Sequence, residues 1–248
     1  MDKTFTEAPS VLKESETFWL LDKPSGWLVH SQRGVDAPAL TDWVMENLGQ
    51  EQAFPVHRLD RGTSGLMLWA KNSESARSWQ ALWQNGQVRK GYVALVRGRF
   101  VGERFLDHPV PADEKAERKP AQSYLSVVES IEATPRALSL LEVEPYTGRY
   151  HQIRRHVKHL GHPLIGDSNY GRTELNRAFR ASVGLARLAL HAAWLQLPST
   201  QADDDPITYF SNLPASLHNP LIRLGFSEAA LDIKRLRLFL KPRSVLDQ

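Results

Sequence analysis

A dense group of polar side chains occupies nine consecutive positions, which read His57-Arg58-Leu59-Asp60-Arg61-Gly62-Thr63-Ser64-Gly65. Two arginines flank Asp60, and guanidinium groups beside a carboxylate favour the ionised form that a nucleophile or general base needs. Loops held on a rigid framework often carry catalytic groups. An Asx-turn with surface ion pairs is the structural alternative, and the spacing alone does not decide between the two.

A second polar segment, from Glu144 to His156, follows a predicted strand, turns at Thr147-Gly148 and opens a basic helix. His151 and Arg155 are four residues apart and share one helix face, and a helix N-terminus favours a bound phosphate or carboxylate. Four histidines lie between Arg149 and Arg180, namely His151, His156, His159 and His162, but the chain has no cysteine and no His-Glu-x-x-His pattern. Because the nearby arginines would also repel a divalent cation, we expect no metal site.

A third segment, Arg89-Lys90-Gly91-Tyr92, lies at the start of a predicted strand. A tyrosine beside basic residues can stack on a nucleic-acid base while the cations hold phosphates, although ordinary strand packing is the alternative.

The stretch from Arg149 to Arg180 holds seven basic and two acidic residues in a chain of net charge +3. This local excess indicates an acidic partner, unless it only solvates an exposed helix face.

The elements that must position these segments follow from apolar periodicity and turn residues. We predict a helix that has Thr41 as its N-cap and runs through Leu48, and a further helix over Tyr150–Leu160. Between them, Ser73 is expected to cap a helix in which Ala76, Trp79, Leu82 and Trp83 fall at helical spacing. We predict strands over Phe18–Leu21, Ser64–Ala70, Tyr92–Val96, Gln122–Ile131, Ala137–Val143, Arg187–Leu197 and Pro206–Phe210. The first 15 residues are expected to form a loose lead-in, Asp113–Lys119 a charged loop, and Ile233–Leu240 an edge strand or packed tail. Since the order lacks a regular βαβ rhythm, we predict an α+β fold with a mixed, mostly antiparallel sheet.

Composition limits the class of protein. The 248 residues are 42% hydrophobic and 24% charged, which is typical of a folded protein and excludes disorder. The absence of cysteine excludes disulfides, iron–sulfur clusters and a cysteine nucleophile. No apolar run approaches the roughly 18 residues of a membrane span, and Met1–Ser15 lacks the apolar core of a signal peptide. We therefore expect a soluble cytoplasmic protein that makes no membrane contact.

Together the three segments resemble the RluA family of pseudouridine synthases. His57–Asp60 with Thr63–Gly65 is similar to the family signature around its catalytic aspartate, and Lys90-Gly91-Tyr92 is similar to its Lys-x-Tyr strand. The third family motif is similar to Thr147–Arg154 followed by Gly161–Asp167, and Asp22–Gly26 also fits the family. These segments run in family order from about Phe18 to Leu197.

The resemblance implies a mixed sheet with flanking helices and a central cleft, and the conversion of uridine to pseudouridine in RNA without a cofactor. It implies that Asp60 is the catalytic aspartate, that Tyr92 stacks on the target base and assists proton removal, and that Arg154 pairs with Asp60. The remaining expected contacts to substrate are Arg58, which enters the RNA helix where the uridine is flipped out, and Lys90, Arg149, His151 and Arg155. The residues leave three roles open for Asp60: attack on the ribose, attack on the base, or removal of a ribose proton to form a glycal.

Fewer than twenty residues precede the first family strand, so we expect one catalytic domain over residues 1–248, with a core of about 16–200 and without the S4 RNA-binding domain of several members. A monomer is expected.

The run from Gly148 to His156 resembles the tRNA-acting type, which modifies uridine 65 in the T-stem region. The alternatives are the same activity on an rRNA hairpin, an inactive RNA-binding protein, and an unrelated hydrolase with Asp60 as nucleophile. The intact Asp60, Tyr92 and Arg154 argue against an inactive protein, and the lack of a second suitably spaced acid or metal argues against a hydrolase.

Overall fold

A computed structural model of the chain describes residues 7–111, 117–133, 136–199 and 205–236. The strands in these ranges are β1 (Ser10–Glu14), β2 (Phe18–Lys23), β3 (Phe54–Pro55), β4 (Ser64–Ala70), β5 (Arg89–Arg97), β6 (Glu103–Asp107), β7 (Val110–Pro111), β8 (Arg118–Lys119), β9 (Gln122–Ile131), β10 (Leu138–Pro145), β11 (Leu190–Leu197) and β12 (Ile207–Phe210). The helices are α1 (Leu40–Leu48), α2 (Ser73–Gln84), α3 (Gln152–His159), α4 (Thr173–Val183), α5 (Ala215–Leu224), α6 (Glu228–Leu231) and α7 (Ile233–Leu236).

One large sheet organises the described residues. Its main path follows the order β1-β2-β4-β11-β5-β10-β9-β6, with β12 beside β11 and β3 beside β4. Neighbouring strands pair antiparallel except β4 and β11, which are parallel. The strands β7 and β8 form a separate antiparallel pair. The predicted α+β fold with a mixed, mostly antiparallel sheet is therefore confirmed.

The sheet is covered on both faces. Every residue of β4 and β10 is buried. The nearly continuous apolar run of β4 predicts this, whereas β10 also buries Ser139, Glu142 and Glu144. Successive side chains of β5 alternate between two cores, because a strand has a side-chain period of two. Tyr92 packs in one core with Ile153 of α3, whereas Val93 packs in the other with Leu217 of α5. The face that carries Tyr92 is the face on which the polar segments meet.

The helix starts differ from the predicted ones. In α1, Thr41 lies inside the helix and Ala39 occupies the N-cap position, so the prediction of Thr41 as the cap is wrong. Gly49 ends this helix with φ 66°, a left-handed conformation that suits glycine. In α2 the cap is Asn72, not Ser73, because the Asn72 side chain accepts a hydrogen bond from the Ser75 N–H at 2.8 Å. Asparagine and serine are comparable caps, so the sequence did not distinguish the two neighbours.

Other elements were missed or misplaced. The expected lead-in contains β1, an edge strand whose five residues are all exposed and therefore show no apolar periodicity. Residues Ile233–Leu236 form a helical turn instead of an edge strand, and 237–240 lie outside the described residues. Of the expected charged loop, Arg118–Lys119 forms strand β8, while residues 113–116 lie outside the described ranges. The helices α4 and α5 had not been predicted. Among the described residues, no helix is long and apolar enough to cross a membrane.

Candidate active site

A cavity of about 400 Å³ lies where the loop before β4, the start of β5 and the N-terminal end of α3 come together. The three polar segments singled out in the sequence all contribute to its wall. Of the predicted site residues, the lining includes Arg58, Asp60, Lys90, Tyr92, Arg149, His151 and Arg154. The fold thus brings together groups that are distant along the chain, such as Asp60 and Arg154, which lie 94 residues apart.

The turn after β2 holds the loop that carries Asp60. The Gly26 N–H donates to the Arg61 carbonyl at 2.7 Å, and the Ser25 hydroxyl donates to the Gly62 carbonyl at 2.8 Å. The buried Lys23 ammonium fixes this turn by donating to the Pro24 and Trp27 carbonyls, both at 2.9 Å. Because main-chain groups just after Asp60 are bonded in this way, the carboxylate is presented by a restrained backbone.

Arg154 joins Asp60 to a second carboxylate. Its guanidinium donates to Asp60 Oδ2 through one terminal nitrogen at 3.1 Å and to Asp167 through two hydrogen bonds of 2.8 and 2.9 Å. Burial by itself raises the pKa of Asp167, but the bonds and charge of Arg154 outweigh it, so the pKa lies below its ordinary value. The Asp167 side chain is fully buried, whereas that of Asp60 is 22% exposed and open to the cavity. Arg154 therefore pairs with Asp60 as the family resemblance implied.

Tyr92 forms part of the cavity wall through an almost completely buried side chain. Burial raises the pKa of its phenol, and the negative charge of Asp60 raises that pKa further, so the hydroxyl stays protonated near neutral pH. The residue before it must be glycine, because a Cβ added at Gly91 would lie 1.9 Å from the Trp194 indole nitrogen. The glycine of the Lys-x-Tyr segment thus makes room for the core beneath the tyrosine.

His151 lies at the N-cap position of α3 with φ 53°, and it is the one non-glycine residue with positive φ in the described ranges. Its Nε2 is 3.6 Å from Asp60 Oδ2, and its Nδ1 is 3.1 Å from the Tyr170 hydroxyl oxygen. Burial lowers the pKa of the imidazole to about 4. His151 is therefore a neutral group directly beside the carboxylate at neutral pH.

Two exposed arginines lie at the cavity mouth. Arg58 is exposed, and Arg149 is also exposed while its Nε donates to the Pro120 carbonyl at 3.2 Å. Cations placed in this way are available to the phosphates of a nucleic acid that reaches into the cavity.

An aromatic stack supports the wall beside Arg58. The His57 ring stacks on Trp83 with 4.0 Å between ring centres, and its Nε2 accepts the Leu68 N–H at 3.0 Å. The Lys90 ammonium lies 5.1 Å from the centre of the Trp83 ring. Burial lowers the pKa of His57 to about 3, so this ring is neutral. Trp83 had been assigned only to a helix face, because its contact with the loop is not visible in helical spacing.

Arg155 takes a different position from the other predicted site residues, since it is not among those that line the cavity. Its guanidinium carbon lies 5.7 Å from the centre of the Tyr150 ring and 5.4 Å from that of Tyr170. Sequence reasoning assigned no role to Asp167 or Tyr170. The available signal was the Gly166-Asp167 turn within the third family motif, but the sequence does not show what that turn contacts.

Comparison with known proteins identifies the family of the chain. The family described as RNA pseudouridylate synthase matches residues 17–159. The chain is 38% identical over 192 residues to tRNA pseudouridine synthase C of Pasteurella multocida, covering 69% of this chain and 78% of that protein. It is 35% identical over 243 residues to the Vibrio cholerae protein of the same name, covering 89% of this chain and 98% of that one. The solved structure of human RNA pseudouridylate synthase domain containing 1 superposes with a TM-score of 0.72 at 25% identity, covering 98% of this chain and 100% of that chain.

The matched family segment spans the β2 turn, the Asp60 loop, β5 and α3, which together build the cavity. The chain belongs to the RNA pseudouridylate synthase family. It is an isomerase that converts uridine into pseudouridine within RNA.

Proposed function

We propose that this enzyme acts on tRNA, at a uridine of the uridine 65 type, with Asp60 as its catalytic residue. The observation that carries the assignment of Asp60 is its carboxylate, which faces the cavity and accepts a hydrogen bond from the buried Arg154 at 3.1 Å. The tRNA substrate is supported by the names of the relatives from Pasteurella multocida and Vibrio cholerae.

The reaction makes clear demands on such a cavity. The bond from base N1 to ribose C1′ breaks, a bond from base C5 to C1′ forms, and the proton on C5 is replaced by one on N1. A uridine within a stem must leave the stack before these atoms can be reached, which takes a few kcal/mol. A cavity of about 400 Å³ has the size of a site for a small molecule, so it suits one flipped nucleoside.

The charges around Asp60 suit this chemistry. The guanidinium of Arg154 stabilises the negative charge of the carboxylate, and all three roles left open by the sequence require that ionised form. The protonated Tyr92 phenol lies in the same wall, where its ring can stack on the uracil and its hydroxyl can assist removal of the C5 proton. We assign Arg58 to the space vacated in the RNA helix, and Lys90, Arg149 and His151 to contacts with the flipped nucleotide and its phosphates.

We further propose that the protein acts as a monomer in the cytoplasm and that residues of about 16–200 form the catalytic domain. The family match over residues 17–159 and the continuous sheet from β2 to β11 support this domain assignment.

The decisive experiment incubates the purified protein with total tRNA and with rRNA, followed by mapping of pseudouridine. We expect modification of tRNA by the wild type and its loss in Asp60→Asn, with RNA affinity retained because removing a negative charge lessens repulsion from phosphates. The matched control is Asp36→Asn, which alters an exposed aspartate outside the cavity lining and should modify tRNA normally.

Turnover by Asp60→Asn within tenfold of the wild type would contradict the assignment of Asp60. Modification of rRNA without modification of tRNA would contradict the proposed substrate.

A further inference from the structure

The turn from Asp167 to Tyr170 contacts the Asp60 carboxylate indirectly by two separate routes. The first passes through Arg154, whose guanidinium bridges Asp167 and Asp60. The second passes through His151, which lies 3.1 Å from the Tyr170 hydroxyl and 3.6 Å from Asp60. We propose that Tyr170 and His151 are a pair of positioning residues, in which the Tyr170 hydroxyl donates to His151 Nδ1 and so directs an Nε2–H towards Asp60. This inference rests on the proposed function of Asp60.

The direction of the hydrogen bond follows from the protonation states. A neutral imidazole has one N–H and one unprotonated nitrogen, and His151 is neutral because burial lowers its pKa well below 7. If the Tyr170 oxygen instead accepted a hydrogen bond from Nδ1–H, the lone pair of Nε2 would face the lone pairs of the Asp60 carboxylate. When Tyr170 donates to Nδ1, the proton lies on Nε2 and the group that faces Asp60 is a donor.

Charged groups surround His151 on more than one side. Asp60 and Asp167 favour its protonation, whereas Arg154 and Arg155 oppose it together with burial. The charges thus partly cancel, and burial is the largest influence on the pKa. Since burial raises the pKa of Tyr170, its hydroxyl keeps the proton that the bond to Nδ1 requires.

The backbone of His151 provides independent support. A left-handed conformation is uncommon for a residue other than glycine, although histidine adopts it more often than most, and such conformations persist mainly where the surroundings hold them and often at functional sites. Here Tyr150 stacks on the imidazole with 3.7 Å between ring centres, and the Tyr170 ring meets it edge-on at 5.7 Å. The ring is therefore held on two sides beside Asp60.

The turn that supplies Tyr170 is also fixed by its backbone. The Asn176 side chain of α4 accepts the Gly166 N–H at 2.9 Å and donates to the Asp167 carbonyl at 2.9 Å. The Tyr170 N–H in turn donates to Asp167 Oδ1 at 3.0 Å. The hydroxyl thus projects from an anchored turn, as a positioning group requires.

The test compares Tyr170→Phe, His151→Asn and the double variant. Asparagine tolerates positive φ, and phenylalanine keeps the ring that packs on the neighbouring cations, so both single variants should fold. We expect Tyr170→Phe to lower kcat for tRNA at least tenfold with KM within threefold of the wild type. His151→Asn should lower kcat by at least as much, and the double variant should lose no more than His151→Asn alone, because the hydroxyl acts through the imidazole. The matched control, Tyr209→Phe, removes a hydroxyl outside the cavity lining and should leave kcat unchanged.

A second readout needs no substrate. In protein with ¹⁵N-labelled histidine, the signals missing from His151→Asn identify His151, and their shifts show which nitrogen is protonated. We expect Nε2–H in the wild type at pH 7 and a mixture of tautomers in Tyr170→Phe.

Wild-type kcat in Tyr170→Phe, losses that multiply in the double variant, or a His151 proton on Nδ1 would each overturn the pairing. A wild type that leaves tRNA uridine unchanged would instead contradict the proposed function, while the ¹⁵N spectrum still decides the position of the proton.

Discussion

Asp167 binds the guanidinium of Arg154 from the side opposite Asp60, through two hydrogen bonds of 2.8 and 2.9 Å. One cation thus lies between two carboxylates that differ in exposure: the Asp167 side chain is fully buried, and that of Asp60 opens to the cavity. The two bonds to Asp167 fix the orientation of the guanidinium, because a bidentate pair restrains a planar group. Arg154 can then hold Asp60 through a single bond and leave the rest of that carboxylate accessible.

Arg154→Ala is expected to reduce both stability and turnover. The substitution leaves Asp167 buried without its cation, and breaking a buried pair from one side destabilises a protein by about 3–5 kcal/mol. Adding Asp167→Asn should restore part of the stability but not the turnover, because the buried charge is removed while Asp60 still lacks its partner. Urea denaturation measures the free energy of unfolding of both variants, and Arg180→Ala, which alters an exposed arginine, is the control. An unfolding midpoint equal to that of the wild type would show that the pair contributes nothing to stability.

Tyr92→Phe should bind RNA almost normally and lose most turnover. The ring that stacks on the base remains, whereas the hydroxyl that assists proton removal is gone. Tyr92→Leu offers a contrast, since it also removes the aromatic face and should weaken binding by about 1–3 kcal/mol. Equilibrium binding and single-turnover assays separate the two effects. Near-normal turnover by Tyr92→Phe would limit Tyr92 to stacking.

Replacing basic residues around α3 should change the salt dependence of RNA binding. The logarithm of the RNA association constant K falls linearly with the logarithm of the salt concentration. Each phosphate contacted by a lysine or arginine contributes roughly −0.9 to that slope. Arg149 and Lys158 are the better probes because both are exposed, whereas Arg155 is half-buried against the Tyr150 and Tyr170 rings. The Lys158 ammonium also lies 5.4 Å from the centre of the Tyr170 ring, so Arg149 is the cleaner probe of the two. Either alanine variant should flatten the slope by about one unit.

The two variants should also weaken binding to cognate and non-cognate RNA by similar factors, since phosphate contacts carry no sequence information. Lys13→Ala, on the exposed edge strand β1, is the control and should keep the wild-type slope. Wild-type slopes in both Arg149→Ala and Lys158→Ala would mean that these side chains only solvate the surface.

Glu142→Gln is expected to stabilise the protein above neutral pH. Burial raises the pKa of this carboxyl from 4.5 to about 7, although the Trp194 indole N–H donates to it at 2.8 Å. The folded protein therefore holds a proton that the unfolded chain releases, so its stability falls as the pH rises from about 4.5 to about 7. Glutamine keeps an acceptor for Trp194 without the charge and should add about 1–3 kcal/mol at pH 8.

Urea denaturation at several pH values tests this expectation, and the gain from Glu142→Gln should vanish near pH 4.5. Burial also raises the pKa of Asp22 to about 6. The variant therefore keeps some dependence of stability on pH, part of which comes from Asp22. A gain that is the same at pH 4.5 and pH 8 would exclude titration of Glu142 as its cause.

The sequence by itself determined the class of fold and most of the cavity wall. Strands such as the buried β4 and the partly buried β9 are visible because apolar periodicity is a local property of the chain. Seven of the eight predicted site residues line the cavity, and all seven belong to the family segments, since each segment keeps its chemistry in contiguous residues. The exposed strand β1 escaped prediction because no buried face imposes a pattern on it, and α7 escaped because four residues are too few to show a helical period.

Only the tertiary structure decided which groups meet. Arg58 and Arg61 flank Asp60 in the sequence, yet Arg61 Nε donates to the Gly26 carbonyl and the cation bonded to Asp60 is Arg154, 94 residues further along the chain. The left-handed backbone of His151 and its contact with Tyr170 were likewise not visible in the spacing of residues. These partners come together through pairing of distant strands and the anchored turn before α4, and such contacts depend on the packing of the whole sheet, not on any one stretch of sequence.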